Sequence, residues 1–221
     1  MLWCCFLTLA AVVYAHAGTV NDANYFVDTA LSERLPLVVR QSPALYPAVR
    51  IPFSDFEVPK NAITNRDLHV NLTEGTIRDL DTVPLRRLGD CQVPSVKAGP
   101  PSILCTVDLS GINTTFLALT RGDNVLATLK EIWVHVVTVD SNARLEVTGS
   151  QTSEASLRTF ELINLQFSTT YDRELHLNTD RQRLFKEHVE RKVKETLQDV
   201  VFNELRILLS RSVNSLPFPR V

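Results

Sequence analysis

The side chains best equipped for chemistry in this 221-residue chain are its five histidines and four cysteines. His69, His135 and His176 sit at polar positions in or beside predicted strands, and His188 lies near the start of a predicted helix. No two histidines stand four apart, as a helical metal pair requires, and no Gly-x-Ser-x-Gly precedes a helix. The seven glycines are scattered, so no phosphate-cradling loop is spelled out. A Ser-His-Asp set assembles in space and not in sequence, but no spacing points to one. The expectation is a protein that is not an enzyme, with no metal and no cofactor.

The cysteines and the N-terminus are read together. MLWCCFLTLAAVVYAHAGTV carries no charge from Leu2 to Ala15, and Ala15-His16-Ala17 has the small-x-small form of a signal-peptidase site. The apolar run is shorter than the about 20 residues a bilayer span needs. Residues 1–17 are therefore expected to be a signal peptide, leaving 18–221 as one secreted, extracellular domain without a stable membrane anchor. Cleavage removes Cys4, Cys5 and His16 and leaves Cys91 and Cys105. An even pair in an exported chain reads as a disulfide. DCQVPSV and SILCTVDL flank the turn-rich AGPP, which puts the pair on neighbouring strands of a hairpin. Closing a loop of about 15 residues stabilises by about 3 kcal/mol. Asn71-Leu72-Thr73 and Asn113-Thr114-Thr115 are glycosylation sequons, suited to export.

Arg121-Gly122-Asp123 spells the tripeptide that integrins read and is expected at a hairpin tip, TRGDN, where a guanidinium and a carboxylate would stand side by side. Gly beside Asp or Asn is also what tight turns use. Trp133, in EIWVHVV, is expected in the core or in the wall of an apolar pocket.

These residues need elements to hold them. Hydrophobics at 44% and charged residues at 22% describe a globular chain. A net charge of -2 and a pI near 6.2 argue against nucleic acid, which selects basic faces. FKEHVERKVKETLQDVVFNELRILL places Phe185, Val189, Val193, Leu197, Val201, Leu205 and Leu208 three or four apart, giving a helix with one apolar stripe. It is expected to start at an Asn178 or Thr179 cap and to run to about Ser212, on the order of 50 Å. Near the N-terminus, Tyr25, Phe26, Ala30, Leu31, Leu35 and Val38 share one side of a helix, with Asn24 or Asp22 as cap and a kink or division at Pro36. A Pro-rich extended segment follows. From Arg66 the period becomes two, and strands are expected at RDLHVNLTEGTIRDL, ILCTVDLS, TTFLALT, VLATLKEIWVHVVTV, ARLEVTGS and LRTFELINLQFS. AGPP, SGIN, TRGDN, DSN and GSQTSEAS read as the turns of an antiparallel meander. The fold class is α+β.

The order of these elements resembles the tubular lipid-binding superfamily, which includes the bactericidal/permeability-increasing protein, the juvenile-hormone-binding proteins and the group-seven mite allergens. IRDLDTVPLRRLGDCQV, within Val70 to Val93, is most similar to a strand segment of the mite allergens. The resemblance implies a curled antiparallel sheet wrapped around the long C-terminal helix, enclosing an apolar cavity for a lipid, fatty acid or isoprenoid. The chain departs from the bactericidal proteins in lacking their sheet-to-helix disulfide and their basic charge. It departs from the hormone binders in having no cysteine near the N-terminal helix.

The function expected is a non-catalytic carrier or sensor of an apolar small molecule. Val189, Val193, Leu197, Val201 and Leu205 on the helix would line the cavity, with Leu68, Val70, Trp133 and Val147 on strands. The alternative is a secreted interaction protein with a filled core that meets microbial lipid or a receptor through surface loops, Arg121 to Asp123 among its contacts.

Overall fold

Alternation of apolar and polar residues builds an eight-stranded antiparallel sheet: β1 (Ala48–Ile51), β2 (Ser54–Val58), β3 (Leu68–Arg78), β4 (Arg86–Gln92), β5 (Ser102–Asp108), β6 (Asn113–Arg121), β7 (Leu129–Ser150) and β8 (Ser153–Tyr171). The computed structural model describes residues 19–82, 85–94, 100–150 and 153–220. The predicted leader and its cleavage site lie outside them.

The strands act as a few long rows. β1 and β2 lie end to end along one edge of β3, and β5 and β6 lie end to end along one edge of β7. β3 pairs with β6, β4 with β5, and β8 covers the other edge of β7 from Val134↔Tyr171 to Ser150↔Ser153. β7 alone has 22 residues, about 75 Å if fully extended.

Two stretches expected as hairpin turns are instead interruptions within rows. Leu109 to Ile112 and Thr138 to Asn142 face each other: Leu109 N donates to Ser141 O at 2.8 Å, Gly111 N to Thr138 O at 2.8 Å and Thr138 N to Ile112 O at 3.0 Å. Positive φ at Gly111 and Asp140 (95° and 45°) lets both strands step around the irregularity and continue. ARLEVTGS is thus the second half of β7, and the bulges bend the sheet.

The last element is helical from Thr179 to Asn214, with a π-helical turn at Leu197–Phe202; the whole is called α2 here. Asn178 caps it, its side chain accepting from Arg181 N. The N-terminal helix, α1, runs over residues 19–39 with a π-helical turn at Ala30–Arg34. Pro36 does not divide it. Leu35 N donates back to Ala30 O, and the wider turn makes room for the proline ring. Two expectations for α1 are corrected: Tyr25 points outward, and Asn24 is within the helix, where its side chain accepts from Cys91 N and donates to Asp90. The face buried is Ala23, Phe26, Val27, Ala30, Leu31, Leu35 and Val39.

The sheet curls around α2, as the fold class expected. Leu68, Val70 and Leu72 on β3, Phe116 and Ala118 on β6, and Ile132, Val134, Val136, Leu145 and Val147 on β7 turn their side chains to the helix stripe, all of them buried.

Candidate functional site

The helix stripe is where the sequence put it. Val189, Val193, Leu197, Val201 and Leu205 are all buried, as are Leu68, Val70 and Val147 opposite. Aromatic rings close one stretch: Phe185 lies 5.8 Å from Phe56 and 5.1 Å from Tyr171, and His188 stacks on Phe56 at 4.7 Å. None of the four clefts described below is lined by a stripe residue.

Trp133 is not among the inward-facing residues. Ile132 and Val134 point to the helix, so the pleat turns Trp133 to the outer face, where it is 47% exposed. Its backbone N–H donates to Asp172 at 2.7 Å. Cys91 on β4 and Cys105 on β5 form the disulfide. Asn71 and Asn113 are both exposed on strands.

The Arg-Gly-Asp expectation is overturned. Asp123 is 6% exposed and its carboxylate faces inward, accepting from Lys130 Nζ and, at 3.5 Å, from His176 N. Arg121 alone is at the surface, its Nε donating to Ala127 O at 3.1 Å. The loop between β6 and β7 folds its carboxylate under itself because a cation waits there, and no paired guanidinium and carboxylate is presented.

That loop belongs to a distinct end of the molecule. Residues 59–67 between β2 and β3, 122–128 between β6 and β7, and 172–178 between β8 and α2 all emerge there. They are tied together: Arg66 N donates to Gly122 O at 3.3 Å, Asn61 and Asn178 exchange side-chain hydrogen bonds at 3.1 and 2.8 Å, and Arg66 Nε donates to Val125 O at 2.8 Å. Despite this order, the loops hold their largest apolar side chains in solvent. Ile63 is 98% exposed and Leu126 is 85% exposed, with Val125 and Leu129 also outside. Between the loops lies a cleft of about 500 Å³ walled by Lys60, Arg66, His69 and Arg121 with Asp67. Exposed aliphatics beside Lys60, Arg66 and Arg121, which have no carboxylate partner among the described residues, form an amphipathic surface.

These residues lie outside the expected site. Alternation places Val125 and Leu126 in a strand, but the strand begins only at Leu129. The legible signal was an isoleucine inside the otherwise polar KNAITNRD, and a valine and leucine directly after a Gly-Asp-Asn turn.

Three other clefts differ in character. One of about 550 Å³ is walled by Arg50, Arg78 and Glu74 beside the β1 edge. One of about 380 Å³ lies between Tyr25 and Phe26 of α1 and the C-terminal Leu216 to Arg220. One of about 330 Å³ lies between the end of β8 and Gln182 and Lys186. Among the described residues no cluster of His, Cys, Asp and Glu could hold a metal ion, and no helix is long and apolar enough to cross a membrane.

Comparison with known proteins gives one relative across the full length. The chain is 38% identical over 223 residues to the salivary anticoagulant protein P23 of Ixodes scapularis, covering 100% of both. No protein family model matches. Among solved structures, lipopolysaccharide binding protein aligns with a TM-score of 0.48 and 13% identity over 84% of this chain, which spans 37% of that protein's length. Takeout 1 of Epiphyas postvittana aligns with a TM-score of 0.33 and 13% identity over 87% of this chain and 92% of its own.

Proposed function

The chain belongs to the same family as the salivary anticoagulant protein P23 of Ixodes scapularis, and from that premise we propose a secreted, non-catalytic anticoagulant that works by settling on lipid surfaces. The observation that carries this reading is the exposure of Ile63 and Leu126 on loops otherwise well ordered by hydrogen bonds. Water gains when such side chains leave it, at about 1.5 to 3 kcal/mol each if fully buried. Four of them, Ile63, Val125, Leu126 and Leu129, offer about 6 kcal/mol or more before ordering costs, which places the dissociation constant between millimolar and micromolar. A protein seated on a lipid surface withholds it from the reactions that assemble there. The test is flotation of the mature protein with neutral phosphatidylcholine vesicles, together with a plasma clotting time. Wild type is expected to float with the vesicles and delay clotting, and I63S/L126S to do neither. Clotting delayed equally by both proteins would remove the lipid step from the account.

A second reading keeps the apolar small molecule inside. Phe160, Leu162, Phe167 and Tyr171 face inward on β8 yet are only half-buried, whereas their β7 partners Leu145, Ala143, Thr138 and Val134 are sealed. β8 packs against α2 on both sides of the π-helical turn. A slender apolar guest entering along that seam would meet Val193, Leu197 and Val201. Native mass spectrometry of protein purified from its natural source, with uptake of a fluorescent fatty acid, tests it. Protein that is empty and takes up no probe ends the carrier reading and leaves the surface reading intact.

A further inference from the structure

We propose that the cleft between residues 60–69 and 121–127 is a binding pocket for the anionic headgroup of a phospholipid in a membrane. The inference rests on the reading that the loop end meets lipid, and it names the lipid chemistry.

The wall of the cleft is cationic and prepared in advance. Lys60, Arg66, His69 and Arg121 line it, in a protein whose net charge is -2. Among the described residues, Arg66 and Arg121 each spend only Nε of the guanidinium on the protein, on Val125 O at 2.8 Å and Ala127 O at 3.1 Å. Among the described residues neither guanidinium has a carboxylate partner. Their Nη groups are thus held in place with donors to spare, the arrangement that suits a phosphate or carboxylate. Asp67, the acidic residue of the wall, is engaged by Lys60 N at 2.8 Å through Oδ1. His69 has its own partner in Glu57 at 3.2 Å, which leaves Lys60, Arg66 and Arg121 as the anion-facing charges.

The two loops meet so closely that the pocket's shape is fixed. Gly122 has φ +111°, and a Cβ there would stand 2.0 Å from Asp67 O. Pre-formed donors lose little freedom on binding, which favours a small, charged group over an adaptable one.

What selects a membrane over a free anion is continuity with the apolar residues. Ile63, Val125 and Ala127 line the same cleft as the cations. An occupant must satisfy guanidinium groups and cover aliphatic carbon within a few ångströms, and an anionic lipid at the bilayer surface does both. Nucleic acid would leave Ile63 and Leu126 in water. The arrangement also matches how cationic side chains sit at headgroup level while apolar ones reach the acyl region.

The experiment measures binding of the mature protein to vesicles of phosphatidylcholine with and without phosphatidylserine, at low and high salt. Wild type is expected to prefer the anionic vesicles by on the order of a hundredfold, the effect of three cations near a charged surface, and to lose most of that preference in high salt. R66Q/R121Q is expected to keep only the about fivefold preference for anionic vesicles that Lys60 supplies. K60Q, which changes a side chain that makes no hydrogen bond among the described residues, is expected to lose about fivefold of the preference. Thermal melting checks that each variant is folded; should R66Q/R121Q fail to fold, K60Q decides. Equal wild-type binding to both vesicle types overturns the headgroup pocket and leaves the lipid-surface reading standing. No binding to either overturns both. Saturable binding of soluble phosphoserine without binding to vesicles overturns the membrane source, as does capture of an acidic protein in place of vesicles.

Discussion

Arg181 and Gly122 are joined across the loop end of the sheet. From the first turn of α2 the Arg181 guanidinium donates through Nη2 to Gly122 O at 3.2 Å, and to Arg66 O at 2.8 Å. Asp123 lies buried next to this link and accepts from Lys130, whose Nζ also donates to Glu174 O at 2.6 Å. Burial pulls the Arg181 pKa down while Asp123 and Asp67 pull it up, and arginine stays charged throughout. One buried guanidinium thus fastens two loops, and one buried carboxylate balances two cations.

Removing the carboxylate leaves Lys130 without its acidic partner and Arg181 with Asp67 alone. Asp123→Ala is expected to lower the unfolding free energy by about 3 kcal/mol or more, read from urea denaturation. The same burial predicts that immobilised wild type supports no Arg-Gly-Asp-dependent cell adhesion; adhesion blocked by a soluble Arg-Gly-Asp peptide would contradict the inward-facing carboxylate.

Gly122 is the tightest point of the loop end. Gly122→Ala demands a positive φ and a Cβ in contact with Asp67 O. A loss of at least about 2 kcal/mol is expected, together with weakened vesicle binding as the cleft opens. A melting temperature equal to wild type would show that the loops yield easily and that the pocket is not preformed.

The disulfide joins strands whose partner is α1 through Asn24. C91S/C105S is expected to lose about 3 kcal/mol and, by calorimetry, to melt at a lower temperature. Vesicle binding at the distant loop end is expected to persist in the folded protein.

His188 supplies a pH dependence with a definite sign. Burial against Phe56 and then the nearby Arg191 push its pKa below the ordinary value of 6.5, opposed by Glu187. A base with a lowered folded pKa contributes stability in full above the unfolded value and loses it as pH falls below about 6.5 toward the folded value. The urea midpoint is therefore expected to drop between pH 7.5 and 5.5, and His188→Gln to flatten that slope. An unchanged slope in the variant would assign the effect to other groups.

Asn71 and Asn113 are open on the outer face. Expression in a glycosylating host followed by glycosidase treatment is expected to remove mass from wild type in two steps, one lost in N71Q and one in N113Q.

The sequence by itself determined the elements. Spacings of three and four along Phe185 to Leu209 spelled the helix, its stripe and its cap, and alternation spelled the strand faces of Leu68, Val70 and Leu72. These are local regularities, and each residue carries its own evidence for the period. The Cys91–Cys105 bridge was legible too, because two strands around a short turn bring their cysteines close whatever the rest of the chain does. Tertiary structure decided the rest. Whether DSN turns or merely bulges depends on what lies opposite, and Leu109 to Ile112 supplies the matching irregularity. Trp133 faces out because a register of period two sends neighbours Ile132 and Val134 in. Asp123 is hidden because Lys130 and Arg181 arrive from other elements, and charge pairing over such separations leaves no trace in spacing. The loop end shows the same limit: Ile63 and Leu126 are more than 60 residues apart, and only the folding of the sheet sets them beside Arg66 and Arg121, where apolar surface and positive charge together become a site.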